Sequence, residues 1–121
     1  MTPFSFSNKS KPRKVASEES VYDRYHDAVN MTYSELFRWS KTPCSHKASL
    51  DRSPIERNLI LLHKKRSEWD IFDEKAAKRT ISFVARMRGV YPGKKIVCKE
   101  YGFSKRDVSL LNWAYDPRKE F

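Results

Sequence analysis

Apolar positions along the chain recur about every three or four residues, the period of an amphipathic helix rather than of a strand. Five such stretches predict five helices. The first covers about residues 18–29, with Ser17 as N-cap and Val21, Tyr22, Tyr25, Ala28 and Val29 on one face. Asn30 fits the left-handed position that closes it. The second opens on Thr32-Tyr33-Ser34-Glu35, a capping box in which hydroxyl and carboxylate each accept from the other residue's amide. Met31 and Leu36 staple it, Leu36, Phe37 and Trp39 supply its buried side, and Thr42-Pro43 stops it.

After a polar loop over 42–52, Ser53-Pro54-Ile55-Glu56 opens the third helix, with Ser53 as cap and Ile55, Leu59 and Leu62 as its apolar stripe. Asp70 caps the fourth, about 71–88. Acids lie in its first turn and Arg86 and Arg88 in its last, as the helix dipole prefers. Phe72, Ala76, Thr80, Phe83, Val84 and Met87 line its core face, and Gly89 suits its left-handed end. Residues 94–98 read as an extended link, since one strand without a partner is marginal. Ser104 caps the fifth helix, about 105–114, with Asp107 at its third position and Val108, Leu111 and Tyr115 facing inward. Trp39, Trp69 and Trp113 stand at helix ends, where an indole buries its ring and keeps its N–H in water. The fold class is therefore all-α: a compact bundle of about five short helices over 17–121, preceded by a disordered basic arm over 1–16.

Charge changes this picture most. The 121 residues carry 25 Lys and Arg against 15 Asp and Glu, a net charge of +10. Residues 17–43 are net acidic, so the excess lies on the arm and on the chain after residue 44. An anionic partner follows, DNA or RNA first and an acidic protein surface second. On the arm the candidates are Lys9, Lys11, Arg13 and Lys14, where Lys11-Pro12-Arg13-Lys14 fits an import signal or a phosphate-binding arm. On the domain they are Lys64, Lys65 and Arg66 at the end of the third helix, and Lys94, Lys95, Lys99, Lys105 and Arg106 interleaved with Tyr91, Tyr101 and Phe103. Ser104 with the amides of Lys105 and Arg106 adds a helix N-terminus suited to a phosphate, and the Gly-containing turn before it fits a helix-turn-helix connection.

Other chemistry is sparse. Cys44, His46, His63 and Cys98 lack the spacing of a short-loop zinc module, so no metal site is expected. Two cysteines 54 positions apart fit free thiols in a reducing, intracellular compartment, nuclear or nucleoid-associated. The first residues have no apolar stretch of the kind a secretory leader needs. No nucleophile motif or phosphate loop is present, so neither an enzyme nor a cofactor is expected.

Three stretches carry a family resemblance: Val29-Asn30-Met31-Thr32-x-x-Glu35-Leu36-x-x-Trp39, then Asp70-x-x-Asp73 with Arg79, Phe83 and Val84, then Ser109-Leu110-Leu111-Asn112-Trp113-x-x-Asp116-Pro117. Together they resemble a family of small, basic, helical proteins of unknown function, some labelled DNA-binding, over about residues 21–117. Ser49-Leu50-Asp51-Arg52-Ser53-Pro54 departs from the Gly and His-x-Ser-Gly step of that family. The expected function is phosphate-directed nucleic-acid binding. The alternative is a structural or adaptor protein whose basic arm, anchored by Phe4 and Phe6, docks into a larger assembly such as a virion.

Overall fold

A computed structural model describes residues 20–120. Five α-helices follow one another: α1 Val21–Ala28, α2 Tyr33–Ser40, α3 Ser53–His63, α4 Ile71–Arg88 and α5 Lys105–Asn112. Single 3-10 turns lie at Pro43–His46, Arg66–Glu68 and Pro117–Lys119. The expected arm over 1–16, with Ser17, Phe4 and Phe6, lies outside the described residues. No helix among the described residues is long and apolar enough to cross a membrane.

Helix starts follow local chemistry. Thr32 and Glu35 form the expected box, with Thr32 N–H donating to Glu35 at 2.9 Å and Glu35 N–H to Thr32 Oγ1 at 3.2 Å. Asp70 pairs with Asp73 in the same reciprocal way, and Ser104 with Asp107. α1 begins at Val21, and its N-cap is Ser20, which accepts from the Asp23 N–H at 3.1 Å. Ser53 is not a cap but the first residue of α3. The Asp51 carboxylate ahead of it accepts from both its N–H and its hydroxyl, at 3.0 and 2.8 Å. Gly89 closes α4 in a right-handed conformation, φ −85°, so no left-handed residue is needed there.

The left-handed end belongs instead to α5. Tyr115 N–H donates to Leu110 O and Ala114 N–H to Leu111 O, the two bonds of a Schellman motif. Ala114 holds the position usually given to glycine, at φ +67°, and is fully buried. The link over 94–98 ends in a tight turn with a single bridge between Cys98 and Phe103. Gly102 sits at φ +75° in that turn, where a side chain would be strained.

α4 is the spine. α1 and α3 pack on it, α2 packs on α3 and α5, and α5 returns to α4. Ala76 and Ala77 are the small residues α4 presents to the main core, which also contains Tyr25, Leu36, Ile55, Leu61, Val108 and Leu111. One polar knot lies inside it. Asn58, on α3, is fully buried; its Oδ1 accepts from Tyr25 Oη at 2.8 Å and from Thr80 Oγ1 at 2.9 Å. Two expected core positions are exposed instead: Phe37 and Phe72. Two of the three indoles expected to keep their N–H in water do not. Trp39 Nε1 donates to Asn112 inside the protein, and the buried Trp69 Nε1 has no partner among the described residues.

The cysteines correct a further expectation. Cys44 and Cys98 are joined in a disulfide, with Cα atoms 5.4 Å apart, and both are buried. The 3-10 turn after α2 is thereby fastened to the connection between α4 and α5. A reducing compartment was expected from free thiols, and it loses that support.

Candidate functional site

The two terminal motifs meet in space and are occupied with each other. Asn30 does not end α1; its side chain grips the backbone of Asp116, accepting from the N–H at 2.6 Å and donating to the carbonyl at 3.0 Å. Trp39 donates to Asn112 Oδ1 at 2.7 Å, and Asn112 donates onward to Ser45 O at 3.1 Å. Lys119 bonds Asn30 O and the Glu35 carboxylate. A cleft of about 340 Å³ lies against these residues, lined by Met31, Glu35, Arg38, Trp39, Tyr101, Asp116 and Arg118 among others. Its charges are largely paired internally. Arg118 holds Asp116 at 2.8 Å and lies over the Tyr101 and Phe103 rings. Burial pushes the Asp116 carboxyl up, but hydrogen bonds from Arg118 outweigh it and hold it below the usual carboxylate range.

The candidate cations separate into three groups. Lys9, Lys11, Arg13 and Lys14 lie outside the described residues. Lys64, Arg66 and Arg106 are engaged within the fold. Lys64 pairs with the buried Asp73 at 2.9 Å, and Arg66 pairs with Asp23 and covers the Tyr22 ring at 4.7 Å. Arg106 donates to Met87 O, Arg88 O and Asp107, tying α5 to the last carbonyls of α4. Lys65, Lys94, Lys95, Lys99 and Lys105 are exposed, on the α3–α4 connection, the α4–α5 connection and the first turn of α5.

At the N-terminus of α5 the capping box takes the Ser104 and Asp107 amides, with the Asp107 carboxylate accepting from Ser104 N–H at 3.1 Å; the Lys105 and Arg106 amides expected to meet a phosphate are not part of it. The α4–α5 connection occupies residues 89–104, far longer than the roughly three- or four-residue turn of a helix-turn-helix unit.

The sequence reading missed the most coherent basic surface. Lys75, Lys78, Arg79, Ser82 and Arg86 follow one another on a single face of α4, at the i, i+3, i+4, i+7, i+11 spacing that a helix stacks. This face lies opposite the buried stripe of Asp73, Ala76, Ala77, Thr80 and Val84. None of its four cations pairs with a carboxylate of another described residue. At its edge, Phe83 stacks on Trp113 of the α5 end, with centroids 4.2 Å apart and planes at 15°. Arg86 stands over Phe83 at 5.8 Å. Together they line a cleft of about 330 Å³.

Trp113 is the C-cap of α5 and packs against the small cluster of Val84, Leu110, Tyr115 and Met87. Like charges four apart on a helix cost a few tenths of a kcal/mol each. An anion laid along the face removes that repulsion and gains four charge-assisted contacts. Among the described residues, the charges of the first cleft are largely paired and the cations of the second are not. No family model, no curated protein and no solved structure matches the chain.

Proposed function

We propose that this chain is a non-enzymatic nucleic-acid-binding protein that holds DNA or RNA by its phosphates. The observation that carries the reading is the α4 face: Lys75, Lys78, Arg79 and Arg86 aligned without described carboxylate partners beside an aromatic pair. The exposed Lys65, Lys94, Lys95, Lys99 and Lys105, and the arm cations Lys9, Lys11, Arg13 and Lys14, add positive charge to the same chain. The acidic α1 packs on α4 at its buried side and leaves the basic face clear.

The test is a salt titration of binding to a labelled oligonucleotide. Each neutralised phosphate contact changes the log–log slope by about one. The variant Lys75→Gln/Lys78→Gln/Arg79→Gln/Arg86→Gln is expected to flatten the slope by about three to four and to weaken binding equally across sequences. Absence of binding by the unaltered chain at about 50 mM salt would remove the proposal.

The adaptor alternative draws on a different surface. Tyr33, Phe37 and Ile60 are exposed, the first two stacked, and Tyr33 and Ile60 line one apolar hollow with Leu59 and His63. In that reading the arm binds an acidic protein assembly. Deleting residues 1–16 then abolishes assembly while the helical circular dichroism and thermal midpoint are unchanged. Assembly that survives the deletion refutes it.

A further inference from the structure

We infer that the α4 cleft selects single-stranded nucleic acid, with an unpaired base stacked on Trp113 and its flanking phosphates on Lys75, Lys78 and Arg79. The inference rests on the nucleic-acid reading above and gives it a substrate class.

What lies beside the cations separates single strand from duplex. A purely electrostatic surface for duplex phosphates has no use for an aromatic pair, because duplex bases are stacked within the helix and present only their edges in the grooves. Here the cationic row runs directly along Phe83 and Trp113. Both rings are only half-buried, although they stack on each other and belong to the α4–α5 contact. Phe83 has Trp113 on one side and the Arg86 guanidinium toward it at 5.8 Å, so Trp113 is the ring left to receive a base. A basic groove that tracks the backbone beside an aromatic platform is the recurring arrangement for sequence-tolerant binding of single strands. Lys75 to Arg86 spans about 16 Å of helix axis, enough for a short stretch of extended strand. Ser82, between the cations, supplies a neutral hydroxyl donor of the kind phosphates accept.

The experiment compares three probes on the full oxidised chain at one salt concentration: an oligothymidylate, a duplex of equal length and heparin. The single strand is expected to bind about tenfold or more tighter than the duplex and to quench tryptophan fluorescence. Trp113→Leu is expected to weaken the oligothymidylate about tenfold while leaving duplex and heparin unchanged. Trp113→Phe retains most of the affinity but abolishes the quench, since Trp39 and Trp69 lie elsewhere. It also serves if the leucine variant melts early. Lys75→Gln/Lys78→Gln/Arg79→Gln weakens all three probes. Equal affinity for single strand and duplex, or a Trp113→Leu effect shared by all three, overturns the single-strand inference and leaves phosphate binding standing. Heparin binding without binding of either nucleic acid overturns both.

Discussion

Replacing Asn58 by alanine is expected to destabilise the protein by about 4 kcal/mol, close to the largest loss a single substitution causes. Asn58 is fully buried and serves three partners. Its Oδ1 accepts from the Tyr25 and Thr80 hydroxyls, and its Nδ2 donates to Pro54 O at 2.8 Å. Alanine leaves two buried hydroxyls without an acceptor, each costing about 1–3 kcal/mol, and opens a small void. Burial alone already pushes the Tyr25 phenol far above its ordinary value, so ionisation offers it no escape.

The comparison that isolates the cause is the triple variant Tyr25→Phe/Asn58→Leu/Thr80→Val. It removes both hydroxyls with their acceptor, and the Pro54 carbonyl retains its place in the α3 ladder. It should recover most of the lost stability, because removing all partners together avoids the desolvation penalty of an orphan. Urea unfolding of the single and triple variants measures both. A loss below about 1 kcal/mol for Asn58→Ala, or a triple variant no better than the single one, refutes this account.

Reduction of the Cys44–Cys98 bond is the second large effect. The bond closes a loop of 54 residues in sequence. In the chain-entropy model a loop of that length gives about 4 kcal/mol, by limiting the unfolded ensemble rather than by tightening the folded one. Denaturant midpoints with and without a strong reductant should differ accordingly. A Cys44→Ala/Cys98→Ala variant should unfold at the same midpoint in both conditions, near that of the reduced protein. Coincident midpoints for the unaltered chain would refute the claim. The bond also fastens the connection carrying Lys94, Lys95 and Lys99 to the body, so reduction should release those cations first.

Local chemistry was legible and long-range chemistry was not. The Thr32–Glu35 and Ser104–Asp107 boxes and the Asp70 cap each depend on residues three apart, so their types and spacing were enough. Asn30 was misread for the same reason. Its local type fits a helix end, but its partner, Asp116, lies 86 positions away. The disulfide and the Trp39–Asn112 bond were equally hidden, since no local rule links residues brought together only by tertiary packing.

The basic cleft was half legible. Runs of adjacent cations such as Lys64-Lys65-Arg66 attract notice, yet they lie beyond the end of α3, and Lys64 and Arg66 are paired within the fold. The spaced set Lys75, Lys78, Arg79 and Arg86 was readable from its period. Its aromatic neighbour was not, because Trp113 comes from the end of α5 and meets Phe83 only through tertiary packing.

The covalent link between Cys44 and Cys98 also divides the chain mechanically. Tension applied at the two ends travels through the sulfur–sulfur bridge and bypasses everything between the cysteines, which includes all of α3 and α4. About 190 Å of contour is withheld from extension in this way, taking about 3.5 Å for each of the 54 steps. The helix that carries the cationic row is thus sheltered from a pull, whereas Trp113 lies on the stretch that comes away.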